Sequence, residues 1–197
     1  MKSNNIRFRY SFTLIELLVV IALVGFVIIS VSGLSMFFIR KVNVNKERYN
    51  LWSQISYTFD DMRIRCISAV DIVTPISAGG SYNLKKDGAF IFYAEDDIYN
   101  ITPNDLTDNS WYRYLIDNNN NLSLDKGVYS QSTGFTETNR DIVIDGKYNP
   151  NLIFRHNTGD EPNFVVVTID AEASVGGKDL EIERKEGLRF WFVDLVQ

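Results

Sequence analysis

The chain has 197 residues, 45% of them apolar and 23% charged, a composition that can bury a core and excludes disorder over most of its length. Its formal charge of −5 argues against a generally basic nucleic-acid binder. A lone cysteine, Cys66, excludes an intrachain disulfide and a thiolate metal centre, and a lone histidine, His156, leaves little for imidazole-based catalysis, so no enzyme is expected.

Charge is distributed unevenly. Residues 1–11 carry Lys2, Arg7 and Arg9 without an acid, and Glu16 is the one charge in residues 12–39. Residues 40–65 are net basic, which leaves the whole negative balance in the remainder. The order is a basic leader, an apolar segment, a basic stalk and an acidic body. The apolar segment, Phe12 to Ile39, exceeds the roughly 20 residues a helix needs to cross a bilayer and the about 7–15 of a cleaved secretory signal core. A transmembrane helix over 12–39 follows. Lys and Arg flank both of its ends, so the positive-inside count gives no orientation. Glu16 is the anomaly: a carboxylate in such a segment costs about 2.5–3.5 kcal/mol and calls for a partner or a function.

No proline occurs before Pro75, so the helix is expected to run on to about Ile67, roughly 80 Å in all. Over residues 40–70, Tyr49, Trp52, Ile55, Phe59, Met62 and Cys66 recur at helical spacing, which predicts an amphipathic stalk with these side chains as its core seam. Beyond Pro75, in a β-rich globular domain over 71–197, the period changes. Ala89–Ala94, Trp111–Ile116, Ile142–Ile144, Leu152–Arg155, Phe164–Asp170, Leu180–Glu183 and Leu188–Leu195 read as short strands, and glycine pairs punctuate them as turns. The expected class is α+β, a long N-terminal helix packed on an antiparallel sheet body.

Two segments invite a chemical reading. Asp117, Asn119, Asn121, Ser123 and Asp125 alternate in DNNNNLSLD, as oxygen ligands do in a calcium loop, but Leu122 and Val128 stand where such a loop needs glycine and a bidentate glutamate. An Asn-rich surface turn is the preferred reading, with calcium held by Asp117, Asn119, Asn121 and Asp125 as the alternative; no other cofactor is expected. His156, at the end of a strand, reads as a surface histidine, since no serine or acid is singled out to complete a triad.

The run Ser11-Phe12-Thr13-Leu14-Ile15-Glu16-Leu17-Leu18-Val19-Val20-Ile21-Ala22 resembles the prepilin signature of type IV pilins and type II secretion pseudopilins. The resemblance implies a leader peptide of residues 1–11, cleavage between Ser11 and Phe12 by a membrane aspartyl peptidase, and N-methylation of Phe12. Ser11 departs from the glycine usual before the cut. It also implies a role for Glu16: the ammonium created at Phe12 lies in the same membrane layer, and the glutamate of one subunit meets the N-terminus of a neighbour during assembly. The stalk Leu51–Ala69, with Phe59-Asp60-Asp61-Met62-Arg63, is similar to J-type pseudopilins and W-type minor pilins. The expected protein is then a minor filament subunit at the tip or priming complex of a type II secretion pseudopilus or a type IV pilus. Its partners would be the prepilin peptidase, other pilin subunits, the inner-membrane assembly platform and membrane lipid, with no nucleic acid. The expected location is the bacterial inner membrane, single pass, with the C-terminal domain in the periplasm or an extracellular filament. The alternative is a ligand-binding or enzymatic domain on a single-pass anchor, which leaves the ordered Phe12–Ala22 run without a purpose.

Overall fold

The computed structural model describes residues 13–74, 76, 79–96, 99, 110–156 and 163–191. The chain forms two compact units, Met1–Val44 and Asn45–Gln197, and helix α1 (Leu14–Ile67) begins in the first and ends in the second. In the first unit α1 buries no side chain, and its large apolar residues from Leu14 to Val42 are all exposed. By length and composition this helix can cross a membrane. Ser30 donates its hydroxyl back to the Phe26 carbonyl at 2.8 Å, which satisfies a polar side chain inside an apolar run.

In the second unit α1 changes character. Leu51, Ile55, Thr58, Phe59, Met62 and Cys66 are buried. This seam agrees with the expected stripe from Ile55 onward and departs from it before. Tyr49 is 75% exposed and Trp52 46%, and Leu51 takes the core position instead. At about 100° per residue Trp52 lies on the rim of the buried arc and Tyr49 beyond it. Trp52 keeps a partner at that rim, the Arg184 guanidinium 4.9 Å from its ring.

The rest of this unit is two antiparallel sheets. Strands β1 (Ala69–Ile72), β3 (Phe90–Ala94), β4 (Ser110–Ile116), β5 (Leu122–Ser130) and β6 (Gly134–Ile144) form one, in the order β1-β3-β4-β5-β6. Strands β2 (Ser81–Asn83), β7 (Asn151–His156), β8 (Phe164–Val175) and β9 (Lys178–Arg189) form the other, in the order β2-β7-β8-β9. The one-turn helix α2 (Leu84–Asp87) follows β2. Every pairing is antiparallel, so the α+β class with an antiparallel body holds.

The strand boundaries differ from the sequence reading in two informative places. Leu180–Glu183 and the start of Leu188–Leu195 belong to one strand, β9, whose polar middle pairs with β8 from Val175 to Phe164; residues 192–195 lie outside the described residues. The two strands turn at Gly176-Gly177, both at positive φ (61° and 76°), the conformation a two-residue hairpin demands. Strand β5 occupies residues expected as a turn, and β6 begins well before Ile142. Between them the ladder slips at Lys126/Gly127, where a Cβ on Gly127 would come within 2.1 Å of the Thr136 carbonyl oxygen.

A single core joins α1 to both sheets. Leu51, Ile55, Phe59, Met62 and Cys66 meet Phe92, Tyr114 and Leu124 of the first sheet and Phe154, Val167 and Ile169 of the second. Phe90 of β3 stacks on Phe154 of β7 with ring centroids 4.3 Å apart, which ties the sheets together directly.

Candidate functional site

The helix start carries the motif residues that the structure describes. Thr13 precedes the first helical residue, Leu14, and Glu16 lies three positions later. The Glu16 amide donates to Thr13 Oγ1 at 3.3 Å, and Glu16 Oε2 accepts from the Thr13 amide at 2.8 Å and from its hydroxyl at 2.9 Å. This reciprocal pairing is a capping box, and it satisfies amides that have no carbonyl partner at a helix N-terminus. A negative charge in the first turn also suits the helix dipole. Glu16 thus has a local structural job that the reading of the sequence had not assigned. The signal was present as Thr13-x-x-Glu16, a spacing that identifies the cap without any reference to family. Ser11 and Phe12, the residues expected at the cut, and the leader 1–11 lie outside the described residues.

Further along α1, a polar cluster fastens the helix to the first sheet. Asp61 Oδ2 accepts from Arg65 Nε at 2.8 Å and from the Tyr114 hydroxyl at 3.0 Å. The Arg65 guanidinium lies 4.3 Å from the Tyr112 ring. Tyr112 and Lys126 in turn hold Asp96, with Lys126 Nζ 2.7 Å from its Oδ2. Burial and then the neighbouring Asp61 charge push the Tyr114 phenol well above its usual range. Burial works to lower the Arg65 guanidinium, yet its bond to Asp61 outweighs this and holds it above its ordinary value. Burial pushes the Cys66 thiol upward, away from the reactive thiolate form. Nearer the start of the second unit, Glu47 accepts from Tyr148 Oη at 2.5 Å and Lys147 Nζ at 2.9 Å, and these bonds hold its carboxyl below the usual range.

The alternating oxygen segment is divided between two tasks. Asp117 shapes the turn: its Oδ1 accepts from the amides of Asn119 (2.8 Å) and Asn121 (2.9 Å), and its Oδ2 from Asn121 Nδ2 (2.9 Å). Asn121 Oδ1 accepts from the Gly146 amide at 2.7 Å. Asn121, Ser123 and Asp125 are buried, so the surface turn ends before Asn121 and a core strand follows. Asp125 lies between two guanidinium groups, with Arg113 Nε 3.0 Å and Arg140 Nε 2.7 Å from its oxygens. Burial works to raise its carboxyl, but the bonds from Arg140 and Arg113 outweigh it and hold it below the usual range. Among the described residues no group of three or more His, Cys, Asp or Glu is placed to hold a metal ion.

His156 is also corrected. It is buried, because alternation along β7 sends Leu152, Phe154 and His156 to the core face, and neither ring nitrogen has a hydrogen-bond partner.

The prokaryotic N-terminal methylation motif matches residues 7–32 of the chain, which include the capping box and most of the apolar segment. The match is confined to this N-terminal segment, and in it the chain is similar to proteins that carry the methylation motif. The motif and the long apolar helix fit a protein anchored in a membrane by a single span. No curated protein and no solved structure matches the chain.

Proposed function

We propose that the chain is a minor pilin or pseudopilin, a structural subunit cut between Ser11 and Phe12, N-methylated at Phe12, and built into the tip or priming complex of a filament. Type II secretion is preferred over a type IV pilus, and the J-type or W-type minor subunits are the nearest in kind, from the Asp-Arg pattern of Phe59–Arg63. The C-terminal domain then stands in the periplasm or on an extracellular filament. The reading needs no catalytic residue and no cofactor, and an acidic body offers no broad surface for nucleic acid.

One observation carries it: the ordered run Phe12–Ala22 with Glu16, followed by an apolar helix that buries none of its side chains in its own unit. Twenty large apolar residues from Leu14 to Val42 are 48–80% exposed, and a bilayer or neighbouring helices must cover them. Glu16 Oε1 has no partner among the described residues, so the carboxylate can keep its cap through Oε2 and still receive the ammonium of a neighbouring Phe12.

Intact mass and N-terminal sequencing of membrane-extracted protein test the processing, with N-methylated Phe12 expected. Glu16→Leu then separates subunit from anchor. The variant should insert into the membrane and fail to assemble. Retention of full secretion or piliation by Glu16→Leu would overturn the reading in favour of a domain on a simple anchor.

A further inference from the structure

Four strands end a sheet among the described residues: β1 and β6 in the first, β2 and β9 in the second. A terminal strand presents a row of backbone amides and carbonyls without partners, and proteins blunt such edges by keeping them short or bulged. Strands β1 and β2 are four and three residues long, and the ladder that holds β6 slips twice. Strand β9 has neither protection: it runs 12 residues and pairs with β8 from Lys178 to Arg189 without a slip. Its outward groups follow from parity. Val175 and Lys178 close the two-residue hairpin as a hydrogen-bonded pair, and the Phe190 amide bonds the Asn163 carbonyl at 2.8 Å, so the even-numbered residues of β9 address β8. The amides and carbonyls of Glu181, Glu183 and Lys185 therefore face away from the sheet.

This edge runs beside a cleft. Arg184, on the core-facing side of β9, donates to Ser56 Oγ of α1 at 2.7 Å and lies 4.9 Å from the Trp52 ring, and Arg63 of α1 bonds Glu186 at 2.8 Å. On the same flank of the helix, Tyr49, Trp52, Ser53 and Ser56 line a concavity of about 340 Å³, with both aromatic side chains exposed. All of these residues belong to the unit Asn45–Gln197. A strand laid along β9 would turn alternate side chains toward that aromatic flank and the others toward the outer face. There Glu181 and Glu183 stand opposite Glu172 and Asp170 of β8, two cross-strand pairs of like charge. Burial, then the Glu183 charge, pushes the Asp170 carboxyl above its usual range. Lys185 pairs with Glu183, whereas Glu181 has no ion pair among the described residues.

We infer that the open edge of β9, with the flank of α1 at Tyr49 and Trp52, docks an extended segment of a partner protein in which lysine or arginine alternates with apolar residues. The backbone groups of Glu181, Glu183 and Lys185 pair with the segment, its basic side chains meet Glu181 and Glu183, and its apolar ones enter the concavity. Main-chain bonds supply the affinity of such strand addition, and the alternate side chains its specificity. Charge complementarity settles the occupant. A second copy of β9 fits poorly, since antiparallel pairing centred on Glu183 sets that residue against itself, and pairing centred on Ile182 sets Glu181 against Glu183.

The test uses the full-length chain in detergent and a capped synthetic octapeptide that alternates valine and lysine. At saturation, amide hydrogen exchange at Glu181, Glu183 and Lys185 should slow by about tenfold or more, with Ile182 and Arg184 unchanged. Three control peptides should each bind about tenfold more weakly: the same residues in block order, valine alternating with glutamate, and the original N-methylated at its edge-facing amides. E181K/E183K should reverse the preference in favour of the valine and glutamate peptide. Lys185→Pro removes an outward donor that the sheet does not use, so it should melt with the parent and bind the octapeptide about tenfold more weakly. Should Lys185→Pro fail to fold, E181K/E183K, which relieves like-charge pairs, decides the matter by itself. No protection at the three amides, protection at β6 instead, equal binding by the block-order or N-methylated peptide, or a preference that E181K/E183K leaves unreversed would each overturn the docking. No readout passes through Phe12 or assembly, so failure here leaves the filament reading standing, and unimpaired function of Glu16→Leu leaves this surface standing.

Discussion

Helix α1 is one continuous element read under two different rules. From Leu14 to Val42 its large apolar side chains are 48–80% exposed, and from Leu51 to Cys66 every third or fourth residue is fully buried. The first stretch is apolar on all sides, and the second is apolar on one. An all-round apolar helix has no preferred face, so its sequence can encode information only in the order of particular residues, such as Phe12 and Glu16, and in length. A one-faced helix encodes it in spacing. The same substitution should therefore have opposite kinds of consequence in the two stretches.

The largest contrast is Phe59→Ala against Val27→Ala. Phe59 is fully buried between α1 and the sheets, and its truncation should cost about 3–5 kcal/mol, seen as a lowered denaturation midpoint of the full-length chain in detergent. Val27, 57% exposed, should leave that midpoint unchanged and act on assembly alone. Equal effects of the two on the melt would abolish the distinction.

Much of this was legible beforehand, for a physical reason. Period and order survive in a linear sequence: the seam Ile55-Phe59-Met62-Cys66, the apolar span and the Thr13-x-x-Glu16 cap are all local patterns. The β5 strand was not legible, because its buried residues include Ser123 and Asp125, which look like turn residues until Arg113 and Arg140 arrive from β4 and β6 to neutralise the carboxylate. Trp52 was misplaced for a similar reason: Arg184, from a distant strand, gives a rim tryptophan a partner that helical spacing does not reveal. The buried face of His156 required a phase for β7 that a six-residue run bounded by Asn residues does not set.

Asp125 supplies the next test of how the second unit is held. Asp125→Asn removes the charge that two arginines share and should destabilise by about 2–3 kcal/mol in urea unfolding. Its sign with pH is fixed by direction. The folded carboxyl lies below its unfolded value, so the stabilisation is fully present above the ordinary carboxylate range and is lost as pH falls through the folded value. The parent should lose stability more steeply on acidification than Asp125→Asn does; identical acid slopes would show that the arginines stabilise the charge no better than water.

Tyr114→Phe should cost less, about 1 kcal/mol, because Asp61 keeps Arg65 as a partner and a single neutral donor is lost. A drop of several kcal/mol on thermal melting would mean that the phenol also organises Arg65 over Tyr112.

The smallest effect on the body separates the two rules most cleanly. Thr13→Ala removes both side-chain bonds of the capping box and should weaken the first turn of α1 by about 1 kcal/mol. Amide hydrogen exchange should speed up at residues near Glu16 and remain unchanged from Leu51 to Cys66, with no shift in the melting of the body. Glu16 would then keep locally only the bond from the backbone amide of residue 13. If its principal duty is to meet a neighbour's ammonium, Thr13→Ala should leave assembly intact while Glu16→Leu abolishes it. If its principal duty is to start the helix, the two variants should fail alike. The ratio of their assembly defects thus measures how one carboxylate divides its work between its own helix and the next.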